Sequence, residues 1–149
     1  MTDQPWHIPD PERQAEFYAD VPTKRLLAWC VDTAVILALS ALIVVATVFV
    51  SIFIWPLLLL AVGLAYRTVT LARGSATWGM RLMAIEFRTL HGQRLSPSQA
   101  FLHSLGLTIS FAFPVLQIIS IVLMLTQERG QGLTDLALGT VALNRRAGA

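Results

Sequence analysis

The sequence predicts an all-α membrane protein: a helical bundle of two full spans, then a third apolar region forming a short or re-entrant helical hairpin, three to four membrane helices in all. A small β-hairpin paired to a C-terminal strand completes the expected fold on the cytoplasmic side. Three observations carry the prediction. Of 149 residues, 55% are hydrophobic and only 13% charged, with a mean hydropathy of +0.64. A water-facing domain of this length needs far more polar surface. Two long windows, Thr33 to Tyr66 and Leu95 to Gln127, contain no Asp, Glu, Lys or Arg, and roughly 20 apolar helical residues cross about 30 Å of hydrocarbon. Finally, the cations cluster between and after these windows, the pattern of loops retained on the cytoplasmic side.

Residues 1–21 read as a soluble acidic tail. Asp3, Asp10, Glu12, Glu16 and Asp20 face a single Arg13, and there is no apolar core of a secretory signal. Pro5, Pro9 and Pro11 favour extended chain, while Trp6, Phe17 and Tyr18 can dock the tail on the membrane surface. The membrane domain is expected over residues 22–149. Pro22 suits a first helical turn, and Lys24 with Arg25 marks a boundary, so the first span runs from about Thr23 into the mid-40s. A tight turn near Phe49 to Phe53 leads into the second span, with Trp55 as interfacial anchor and Pro56 early in the helix.

From Arg67 to Arg94 five arginines oppose Glu86, which places this stretch outside the hydrocarbon. Gly74 to Gly79 reads as a loop ending one helix and starting another. Arg81 to Thr89 alternates like a strand, and His91-Gly92 followed by Arg94-Leu95 reads as a turn and short return. Ser96-Pro97 opens a helix that Phe113-Pro114 interrupts, leaving pieces of about 15 residues. Either the first piece lies in the interface and one kinked helix crosses, or the two form a re-entrant hairpin. Charge favours the hairpin, because Arg129, Arg145 and Arg146 then join the other arginines. Gly139 to Asn144 reads as a strand whose partner is the segment around Ala84 to Phe87.

Asp32 is the costly residue. A charge within a span costs roughly 2.5 to 3.5 kcal/mol on insertion scales and is kept for a partner or a task. Arg25 lies seven residues earlier on nearly the same helical face, about 10.5 Å away along the axis. The donor for Asp32 is sought among Thr68, Thr70, His103, another arginine or water. Its role is either a buried staple ordering the helices or a proton or cation carrier. His103 reads as an interfacial residue or a proton-transfer group, and Asp135 as a cap or a partner for an arginine from the loop after the second span. Arg67, Arg73, Arg81 and Arg88 read as topological charges or a site for anionic headgroups.

The pI near 9.2 follows from this topology and points to no nucleic acid. Lone Cys30 excludes an internal disulfide and any multi-cysteine metal site. No phosphate loop, histidine pair or nucleophile constellation is visible, so neither enzyme activity nor a cofactor or metal is expected.

Three ordered motifs carry a resemblance. Arg25-Leu-Leu-Ala28 with Asp32, then Gly74-x-x-Thr77-x-Gly79-x-Arg81, then Asp135-Leu-Ala-Leu-Gly139-Thr140 together make the chain from about Val21 to Leu143 resemble the RDD family of small, mostly bacterial membrane proteins. Thr134 stands where the family commonly has His, and His103 where Arg is common. The resemblance implies a multi-pass protein of the bacterial inner membrane with its N-terminus in the cytoplasm. It implies Arg25, Asp32 and Asp135 as an ion, proton or structural polar network, with His103, Arg81, Thr77 and Thr140 as auxiliaries. It further implies a transport protein, with cation/proton exchange suggested for some members, most plausibly acting as a homo-oligomer. The alternative is a structural or assembly module that binds a membrane-protein partner or anionic lipid.

Overall fold

The computed structural model describes residues 8–145; Pro5, Trp6 and Arg146 lie outside them. Helix α1 covers Val21–Ala46, with Pro22 in its first turn. Its 26 residues reach about 39 Å, enough to cross the hydrocarbon with some tilt. The buried positions Ala28, Asp32, Ile36, Ser40 and Val44 recur every four residues, so α1 turns one polar-flecked stripe inward. Leucines and valines around the rest of it face outward. A 3₁₀ turn, Val50–Ile54, returns the chain into α2, Trp55–Gly74, which is long enough to cross as expected.

Helix α2 runs past Arg67, which is half-buried within it, and continues for about two further turns. Thr77 then caps α3, Trp78–Leu82, by accepting the Met80 amide. The strand β1 is shorter than its alternation suggested, Ile85–Thr89, because Trp78 to Leu82 is helical. After the Gly92 turn the chain runs to α4 without a return strand.

Helix α4, Pro97–Ala112, opens with a Ser96/Gln99 capping box, and α5 covers Pro114–Thr126. The two are bent by 117° at Phe113-Pro114, where the proline lacks the amide that would continue α4. At about 24 and 20 Å neither half crosses alone. A short α6, Leu133–Leu138, leads through Gly139 at φ 64 into β2, Thr140–Asn144. Gly139 supplies the left-handed residue that ends the helix.

Strands β1 and β2 pair antiparallel, Ile85 opposite Asn144 and Thr89 opposite Thr140. Because β1 precedes the α4–α5 pair and β2 follows it, the pair enters and leaves at one end of the molecule. That is the hairpin geometry rather than a single kinked crossing. The larger buried apolar cluster, including Val21, Leu71, Met80, Ile85, Phe87, Leu95 and Ala142, sits at this same end. Ser75 knits it: its carbonyl accepts the Phe87 amide at 2.8 Å and its hydroxyl accepts the Leu95 amide at 2.7 Å.

Candidate functional site

The three charged residues singled out by the sequence are all inward-facing, but they form two centres, not one. Asp32, 4% exposed, pairs with no arginine among the described residues. Its Oδ1 accepts the Tyr66 hydroxyl at 2.7 Å and the Gly79 amide at 2.9 Å, and its Oδ2 accepts the Thr77 hydroxyl at 2.6 Å. The Tyr66 oxygen in turn accepts the Trp78 amide at 3.3 Å, and the two rings meet edge to face with centroids 5.7 Å apart. One carboxylate therefore ties α1 to α2 and to the start of α3. Gly79 is required for this approach, since a Cβ there would collide with the Ala28 carbonyl and reach 2.9 Å from Asp32 Oδ1.

Asp135, fully buried, is the second centre. Arg25 donates to Oδ2 at 2.5 Å and His103 Nε2 lies 2.8 Å from Oδ1. The Thr140 hydroxyl reaches Oδ1 at 3.1 Å and the Gly132 amide reaches Oδ2 at 2.9 Å. The last contact makes Asp135 the cap of its own helix, as the sequence suggested. Its arginine comes from α1, however, rather than from the loop after α2. Arg25 also donates to the Gly130 carbonyl at 3.3 Å and stacks over Phe87, 5.2 Å from the ring centroid. Phe87 in turn contacts the His103 ring, centroids 4.3 Å apart. Burial alone would raise the Asp135 carboxyl, but the Arg25 charge and the bonds from His103 and Arg25 outweigh it and hold the group well below its ordinary range.

Thr77 and Thr140 each bond one centre, and His103 binds a carboxylate rather than a carbonyl. Arg81 joins neither centre. It is exposed, with its guanidinium folded over Gly74. Of the donors sought for Asp32, Thr70 bonds its own helix through the Tyr66 carbonyl, and Thr68 Oγ1 is buried without a partner among the described residues. Tyr66 and the Gly79 amide went unforeseen. Tyr66 stands in the sequence only as the last residue of an uncharged window, and a backbone amide leaves no mark on a sequence.

Between the two centres lies a cavity of about 410 Å³, bounded by α1, α2, α4 and α5. Arg25, Asp32, Arg67 and His103 line it together with Leu26, Trp29, Leu107, Phe111, Gln117 and Ile121. Trp29 and Phe111 stack across it with centroids 5.7 Å apart.

The fold and these two polar centres define a small multi-pass membrane protein with a re-entrant helical pair. A model of the RDD family matches residues 20–139, most of the chain, and the protein belongs to that family. No curated protein and no solved structure matches it.

Proposed function

We propose that this RDD protein is a binding and assembly module of the membrane, a fixed frame whose buried carboxylates lock helices together while the cavity beside them receives an amphiphile or a partner segment. The single observation that carries this reading is the saturation of both carboxylates. Asp32 accepts three hydrogen bonds and Asp135 four, at 2.5 to 3.1 Å. A carboxylate that carries an ion must release its partners at each turnover, and the bonds here join six separate elements, so release means unpacking the fold. No catalytic chemistry and no cofactor form part of the proposal. The arginine-rich end, with β1 and β2, is assigned to the cytoplasmic side of a bacterial inner membrane on the positive-inside rule.

Cation/proton exchange is the second reading, and one observation favours it: Asp32 borders the cavity and is held only by neutral donors. That reading also calls for a homo-oligomer, since so few helices leave little material for an alternating path. Proteoliposome flux driven by proton and sodium gradients separates the two. The frame reading expects no flux above empty vesicles from wild type or Asp32→Asn, with the variant markedly less stable. Flux that Asp32→Asn abolishes in an equally stable protein supports exchange instead.

A further inference from the structure

Nearly every polar group around the cavity has its partners. Arg25 is neutralised by Asp135, His103 is bonded to the same carboxylate, and both Asp32 oxygens are occupied. Beyond the exposed Thr23 and Trp29 at its edge, two groups are left over. The Arg67 guanidinium, on α2 about 10.5 Å before the end of the helix, makes no hydrogen bond or ion pair among the described residues and has the already saturated Asp32, with Tyr66 bonded to it, within electrostatic reach. Gln117, on α5, lines the same cavity with its Oε1 buried and unpartnered. A guanidinium with its donors unfilled at this depth is costly, and its planar fork matches the oxygens of phosphate or carboxylate.

The walls and the opening add the rest. The cavity is mostly apolar, and Leu26, Trp29, Phe111, Ile121 and Leu125 at its edge are each at least 37% exposed. Helix α5 packs chiefly on α4 and α6, which leaves the cavity open sideways, between α1 and α5, to the lipid. Its volume falls within the roughly 300 to 1,000 Å³ of small-molecule sites. A free inorganic anion would leave these walls bare, an apolar helix would leave Arg67 without an acceptor, and a cation would meet the guanidinium.

We propose that this cavity binds one anionic membrane amphiphile, its phosphate or carboxylate oxygens on Arg67 and its acyl chain against Trp29, Phe111 and Ile121, entering laterally from the bilayer. The Gln117 side-chain amide, turned so that its Nε2 faces the cavity, donates a second hydrogen bond to the headgroup oxygens. The inference rests on the binding-module reading and names its ligand.

The test is native mass spectrometry of the detergent-purified full chain offered phosphatidylglycerol, phosphatidylcholine, oleate and, as an uncharged control, diacylglycerol. Wild type is expected to retain one molecule. Arg67→Gln is expected to weaken retention roughly tenfold or more, Arg67→Lys to restore part of it, and Arg73→Gln, at an exposed position on the same helix, to change nothing. Retention of both phospholipids over oleate assigns a phosphate; the reverse assigns a carboxylate. Should Arg67→Gln not fold, Ile121→Trp fills the cavity without touching charge and is expected to expel the amphiphile. Equal retention by wild type and Arg67→Gln, retention of diacylglycerol as strong as that of the anions, or retention undiminished by Ile121→Trp overturns the proposal. Each failure leaves the frame reading standing with a protein partner, whereas ion flux with lipid retention intact would remove the frame reading and keep the site.

Discussion

If the polar residues form two independent centres, their energetic coupling must follow the hydrogen bonds and not the spacing along α1. Arg25→Gln leaves a fully buried Asp135 without its cation, and Asp135→Asn leaves Arg25, 15% exposed at the side chain, without its anion. Breaking one side of a buried pair costs about 3 to 5 kcal/mol; the partial exposure of Arg25 places the second variant near the lower figure. Once one partner is gone, removal of the other costs much less, so the double variant is expected to show a coupling of about 2 to 3 kcal/mol. Arg25 and Asp32 are about 10.5 Å apart along the helix and share no hydrogen-bond partner. Arg25→Gln and Asp32→Asn should therefore add to within about 0.5 kcal/mol. Reversible unfolding in mixed micelles measures all five variants against wild type. A larger coupling of Arg25 to Asp32 than to Asp135 would refute the two-centre arrangement.

Two further outcomes follow from the same geometry. The Asp135 carboxyl is held below its ordinary value of 3.8, so its contribution is fully present above that value and is lost as pH falls towards the lower folded-state value. Thermal unfolding of wild type should hold steady from pH 7 to about pH 5 and drop below about pH 4, a drop that Asp135→Asn should largely lack. Gly79→Ala drives a methyl against the Ala28 carbonyl. It is expected to separate α3 from α1 and cost about 1 to 3 kcal/mol in the same unfolding assay, whereas a stability equal to wild type would mean that α3 does not pack as described.

The spans, the break at Phe113-Pro114 and the strand after Gly139 are legible because each depends on local chemistry: long uncharged windows, a proline's missing amide, a glycine's left-handed φ. The identity of the partners is not. Seven residues put Arg25 and Asp32 on one helical face and invite a pair. The pairing of β1 with β2, set 51 to 59 residues apart by the register, instead carries Asp135 back to Arg25. Thr77 and Thr140 were readable through their motifs, while Tyr66 and the Gly79 amide needed the fold. Arg67 read only as a topological charge, whereas α2 continues for seven residues beyond it and places it on the cavity wall.

A fixed frame keeps its inward stripe sealed from both sides of the membrane, and Ser40 reports on that seal. Its side chain is fully buried on the inward stripe of α1, two turns deeper than Asp32, and the native Cys30 is exposed and removable as Cys30→Ser. Ser40→Cys in that background, reconstituted in one orientation and challenged with a membrane-impermeant maleimide from each side, should stay unlabelled under any ion gradient. Labelling from one side that switches to the other when the gradient is reversed would contradict a fixed frame and establish an alternating path.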